Sequence, residues 1–123
     1  MLIVDVANVI GSRPTGWWRD RAGAAREFTE RVRRALESGA LDGPVVLVLE
    51  GKAKDGVGAH PVDDDGIEVV HAAGSGDDTI AELATRHGQA AVVVTADREL
   101  AARATAAGAR VDRPGWLLDR IPD

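Results

Sequence analysis

The sequence predicts an α/β domain in three layers, with a mainly parallel sheet of four or five strands flanked by helices. Three observations carry this. Short runs rich in β-branched residues recur at 2–6, 45–49, 67–71, 91–95 and 109–111. Stretches with helical periodicity lie between them, the alternation that strand–helix–strand crossovers produce. The run 45–49 is apolar at every position, which fits a strand covered on both faces. A length of 123 residues with 45% hydrophobic content fits a single domain spanning residues 1–123.

Leu2-Ile3-Val4-Asp5-Val6 reads as a buried strand. Residues 11–16 hold Gly, Ser, Pro and Thr and read as a loop. From 17 to 36 the pattern is helical: Trp18, Arg21, Ala25, Phe28, Val32 and Leu36 form a stripe broken only by Arg21. Gly39 and Asp42-Gly43-Pro44 end that helix, and the apolar strand 45–49 follows. Residues 50–66, polar and rich in Gly and Asp, read as a mobile loop that includes the acidic triplet Asp63-Asp64-Asp65. After the strand 67–71, Gly74-Ser75-Gly76-Asp77-Asp78 leads into a helix reaching about Arg86. Beyond the strand 91–95, Asp97 opens a helix to about Ala107. A short strand at 109–111 and a helical turn at Trp116-Leu117-Leu118 complete the chain.

Charge and composition narrow the function. The net charge of −5 counts against avid, nonspecific nucleic-acid binding, because phosphate contacts need Lys and Arg. The charge is uneven: residues 1–40 carry seven Arg against five acids, and the rest carries eight bases against fifteen acids. No apolar run approaches the ~18 residues of a membrane span, and no basic leader opens the chain, so no signal peptide is expected. The absence of cysteine rules out disulfides and thiolate metal sites and fits a cytoplasmic location.

The acids fall where a site would be built. In open α/β sheets, ligands bind beyond the carboxyl ends of the strands. Asp5 with Asn8, Glu50 and Asp97 stand at or just after three strand ends, and Asp77 and Asp78 follow a fourth. Carboxylates brought together repel unless a cation lies between them, so the cluster points to a hard divalent ion, Mg²⁺ or Mn²⁺. Such an ion lowers the pKa of a bound water and neutralises charge on a phosphate. Each acid alone also has a structural reading. Asp97 is placed to cap a helix, and Ser75 with Asp78 has capping-box spacing. Asp5 is harder to assign to structure, because it interrupts an apolar strand and needs a partner or a cation.

Asp5-Val6-Ala7-Asn8-Val9-Ile10-Gly11 resembles the opening motif of the NYN branch of PIN-like nucleases, above all the YacP-like family. The acid after 45–49, the helix start Gly76-Asp77-Asp78-Thr79 and the segment Val92-Val93-Val94-Thr95-Ala96-Asp97-Arg98-Glu99 appear in the family's order. The resemblance covers about residues 2 to 112. It implies a PIN-like fold and a metal-dependent endoribonuclease, with Asp5, Asp78 and Asp97 as metal-site carboxylates and Asn8 positioning substrate or water. Asp77 is the less defined member of its pair. Glu50 stands where the family usually has Asp, which puts its ligand role in question. The implied reaction is attack of water on an RNA phosphodiester, and the chain has no Cys or Tyr to act as nucleophile. A non-catalytic PIN-like module that binds RNA or protein is the alternative, and a DNA-directed nuclease a third reading.

Weaker signals surround this core. Arg13, just past Asp5, is a candidate phosphate contact. Trp17 lies off the helical stripe that Trp18 joins, so Trp17 is the candidate for stacking on a base or for packing. Arg19, Arg26 and Arg33 form a basic stripe, with Glu30 and Glu37 at ion-pair spacing behind it. Trp116 reads as core, His60 and His87 as surface, and His71 as either structural or a helper near the site. Gly74-Ser75-Gly76 fails the dinucleotide pattern at Thr79, and Asp77 and Asp78 would repel a pyrophosphate. A phosphatase of the haloacid-dehalogenase type needs Asp where Ala7 stands. With so few basic residues near the acids, delivery of RNA by the ribosome, another protein or a homodimer is expected.

Overall fold

The computed structural model describes residues 1–122. Five strands form one sheet: β1 (Leu2–Asp5), β2 (Val45–Leu49), β3 (Ile67–His71), β4 (Val92–Val94) and β5 (Arg110–Asp112). Their spatial order is β3-β2-β1-β4-β5, and every pairing is parallel. Between them run α1 (Val6–Gly11), α2 (Arg21–Ser38), α3 (Gly76–His87) and α4 (Arg98–Ala106), and α5 (Pro114–Leu118) follows β5. This is the PIN-like arrangement that the sequence resemblance implies.

The sheet separates two cores because strand side chains alternate between faces. Val4, Val45, Leu47 and Leu49 pack with Val6 and Val9 of α1, Phe28 and Val32 of α2 and Leu117 of α5. Ile3, Val46, Val48 and Val93 face the other way, onto Ile80 and Leu83 of α3 and Leu100 and Ala104 of α4. The uniformly apolar run of β2 follows from this: both of its faces are covered.

Four sequence expectations change. Val6 is not strand; the chain turns at Asp5 straight into α1, which brings Asn8 back over the strand end. The helix expected from residue 17 is broken. Trp17–Arg19 form a 3-10 turn, Asp20 is extended (φ −150°), and its side chain caps α2 by accepting from the Gly23 N–H at 2.8 Å.

The helical phase therefore does not extend back through Asp20, and the two tryptophans exchange roles. Trp18 is 52% exposed, while Trp17 is half-buried against Gly11. Residues 50–66 are tied down, not loose. Gly51–Asp55 form a 3-10 turn, and His60 bridges Val69 with backbone hydrogen bonds of 3.0 Å each way. Lys54 Nζ donates to the Ala72 carbonyl at 3.0 Å, and Asp63 accepts from the Asp65 and Ile67 N–H groups.

No helix among the described residues is long and apolar enough to cross a membrane.

Candidate functional site

In this strand order the chain reverses direction of travel across the sheet between β1 and β4, and a crevice opens there at the strand ends. Asp5 ends β1, and Asp97 follows β4. Glu50 directly follows β2, and Asp77 lies in the first turn of α3. An open cleft of about 330 Å³ is lined by Asp5, Asn8, Glu50, Asp77 and Asp97, with Ala7 and Ser75. Five of the candidate residues thus share one cleft.

Thr95 organises its floor. This buried hydroxyl donates to Asp5 Oδ2 at 3.0 Å and accepts from the Asp97 N–H at 3.1 Å. Asn8 Oδ1 accepts from the Ala96 N–H at 2.8 Å. Its side-chain amide nitrogen is thereby left as a donor at the cleft. Asp97 Oδ1 accepts from the Leu100 N–H at 2.9 Å and caps α4, so the structural reading of that residue holds alongside its place in the cleft. Thr95 was not singled out from the sequence as a site residue. Its signal is a polar residue that ends an apolar run two positions before an acid.

Asp5 is only 5% exposed. Burial pushes its carboxyl up to about 6, with Asp77 and Glu50 adding to the rise and the Thr95 hydroxyl and Asn8 N–H opposing it. Asp77 is also raised, first by burial and then by the charge of Asp97. Gly76 gives Glu50 room: a Cβ there would stand 3.2 Å from Glu50 Oε1. Burial is the main cause of both rises, and the neighbouring carboxylates add to them.

Three candidates lie elsewhere. Asp78 does not line the cleft; its side chain is 81% exposed and pairs with Arg103 at 3.0 Å. One step along a helix rotates a side chain by about 100°, so Asp77 and Asp78 cannot both face the cleft, and the better-placed member is Asp77. The capping box also fails, because Ser75 makes no side-chain cap bond. Arg13 lines a separate hollow with Trp17, Asp20 and Glu27 and does not reach the acid cleft. Trp17 borders a second hollow as well, with Ala7 and Glu50, next to the cleft.

The remaining signals resolve as structural contacts. His71 Nε2 donates to the Val57 carbonyl at 2.7 Å and holds the segment after β2. Arg33 is engaged by Asp65 at 2.5 Å, Asp63 at 3.3 Å and Glu30 at 3.5 Å, so it leaves the basic stripe. Trp116 packs partly buried on the core beneath Arg120.

The donor set is oxygen only, the chemistry that Mg²⁺ or Mn²⁺ takes. Among the described residues, no three acidic or imidazole groups are placed to hold one ion by themselves. A cation here would therefore keep waters in its shell, as Mg²⁺ commonly does.

No protein-family model and no curated protein matches the sequence. Solved structures do match the fold. A crystal structure of a point variant of Rae1 (YacP) from Bacillus subtilis superposes with a TM-score of 0.71 at 19% identity, covering 98% of this chain and 73% of that one. The chain has the YacP fold. A second crystal structure of Rae1 (YacP) gives a TM-score of 0.67 at 20% identity over 98% and 72% of the two chains. At this identity the likeness is one of fold, and it agrees with the YacP-like order of the sequence motifs.

Proposed function

We propose that the chain is a metal-dependent endoribonuclease that hydrolyses RNA phosphodiester bonds at the cleft beyond β1 and β4. One observation carries this: four acids from four separate segments, with Asn8, line a single cleft at the point where the sheet reverses its winding. The YacP fold and the YacP-like motifs support it.

Asp5, Asp77, Asp97 and Glu50 would hold Mg²⁺ or Mn²⁺, through waters where a side chain falls short. A bound ion supplies Lewis acidity toward water and a phosphate oxygen. Thr95 fixes Asp5 and Asp97 relative to each other, so the acids do not turn away from the substrate. Asn8, its orientation locked by Ala96, donates its amide N–H to a non-bridging phosphate oxygen. Water is the nucleophile, since Ser75 in the cleft has no hydrogen-bonded base among the described residues.

The test is cleavage of labelled single-stranded and structured RNA by wild type and Asp5→Asn in Mg²⁺, Mn²⁺ and EDTA. Cleavage lost in EDTA and in the variant is expected. Equal cleavage by both proteins would remove the site from this cleft. A second reading, a non-catalytic module that binds RNA or protein, draws on the separation of the carboxylates. Calorimetric Mn²⁺ binding without turnover would favour it. Delivery of RNA by the ribosome, a protein partner or a second copy belongs to the same proposal, as does a cytoplasmic location.

A further inference from the structure

We propose that Trp17, Trp18, Arg19, Arg21 and Lys52 form a track that leads a single-stranded segment of RNA into the acid cleft. What lies at the end of the track rests on the nuclease reading; the track itself rests on the surface beside it.

Three hollows run together. The acid cleft and the hollow beside Trp17 share Ala7 and Glu50. The hollow beside Trp17 shares Arg21 with a third, lined by Trp18, Arg19 and Lys52. Arg13 lines a hollow that meets the one beside Trp17 at Ile10, Trp17 and Ala24 and shares no residue with the acid cleft itself.

The chemistry along this path suits an unpaired strand. The indoles of Trp17 and Trp18 meet edge to face, 6.0 Å apart at 87°. Arg21 sits 5.5 Å from the Trp17 ring centre and Arg19 5.9 Å from that of Trp18. Trp18 is half exposed beside Trp17, so part of its indole is open to stacking. Bases offer their faces for stacking only when unpaired, and cations beside aromatic rings serve the phosphates between them.

The charges point the same way. Among the described residues, Arg33 and Arg103 are spent on carboxylates, but Arg19, Arg21 and Lys52 form no ion pair. Asp20 and Asp55 also border the third hollow. Asp20 is engaged in capping α2, and the cations outnumber the two acids. On an acidic chain, cations that form no ion pair beside an acid cleft give a polyanion a place to rest while the cleft alone would repel it.

The test is fluorescence anisotropy of a labelled single-stranded oligoribonucleotide and its duplex, with EDTA present to stop cleavage, across a salt series. The proteins are wild type, Trp18→Ala, Arg21→Ala, Lys52→Ala and Arg34→Ala. Arg34, exposed on α2 about 20 Å beyond Arg21 at ~1.5 Å per residue, is the charge-matched control. Trp18→Ala is expected to weaken single-strand binding roughly 5- to 100-fold and leave duplex binding unchanged. Arg21→Ala and Lys52→Ala should each reduce the salt slope by about 0.7, and Arg34→Ala should not. Circular dichroism establishes that each variant is folded, and Arg21→Lys should restore most of the binding.

Wild-type affinity too weak to measure at low salt, or variants that bind like wild type, would overturn the track whatever the cleavage assay gives. Binding losses without any metal-dependent cleavage by wild type would leave the track standing and remove the nuclease.

Discussion

At the scale of single residues, the cleft is a place where charge is held at a cost. Asp5 is buried with its carboxyl raised to about 6, so the folded state takes up a proton more readily than the unfolded one. The cost of its charge is present above about pH 6 and is relieved as the pH falls toward about 4, the ordinary range of an Asp side chain. In EDTA, Asp5→Asn should therefore raise stability at pH 7 by about 1–3 kcal/mol, with the difference gone near pH 4. Denaturant unfolding of both proteins across that range checks it, and a variant less stable at pH 7 would refute it. Mn²⁺ should then stabilise wild type and not the variant, because a ligand stabilises only the state that binds it. The neighbouring pair gives a second prediction. Asp77→Asn should abolish that Mn²⁺ stabilisation and the cleavage, while Asp78→Asn, which loses only an exposed contact to Arg103, should change either by no more than a few-fold. The reverse result would return the site to Asp78.

At the scale of elements, the strands and α3 to α5 were legible because their signal is local. Apolar runs such as 45–49 and 92–94 need only burial on both faces to be read, and Asp97 capping α4 is visible as an acid just before a helical pattern. The misread elements turn on single contacts that reset the local phase. Asp20 caps α2 and breaks the helix before it, so the periodicity that places Trp18 in the core and Trp17 outside runs through a residue that is not helical. The choice between Asp77 and Asp78 depended on the rotation of α3 about its axis, which an adjacent pair of identical residues cannot reveal. Residues 50–66 looked loose because their composition is polar, yet they are held by contacts from distant segments: Arg33 on Asp63 and Asp65, and His71 on Val57. Gly56 marks how closely that segment lies on α2, since a Cβ there would stand 2.0 Å from the Ala22 carbonyl oxygen. Gly56→Ala should cost about 2 kcal/mol or more, because backbone must move against backbone. Chemical denaturation measures it, and a loss below about 0.5 kcal/mol would mean that the contact is slack.

At the scale of the whole molecule, the balance of charge decides how the proposed RNA substrate would be held. The chain carries −5 overall, and four of its acids line the cleft proposed to take a phosphate. Arg33 ties a loop and Arg103 answers Asp78, so neither is free to serve phosphate. The cations left near the cleft neutralise few phosphates, and each contributes affinity that falls with salt. The isolated chain should therefore bind bare RNA no more tightly than on the order of micromolar at physiological salt, and far better at low salt. Divalent cations should add affinity in wild type and little in Asp5→Asn, because the cation converts the cleft from repelling phosphate to attracting it. This coupling distinguishes a bridging ion from general screening, which would act on both proteins alike. Equilibrium binding of a short single strand, with and without Mg²⁺ at fixed ionic strength, makes the comparison. Weak, salt-sensitive and metal-coupled binding would place the missing affinity in a partner or a second copy of the chain. Nanomolar affinity of the monomer that ignores salt would mean that the RNA is gripped by a surface other than this cleft and its borders.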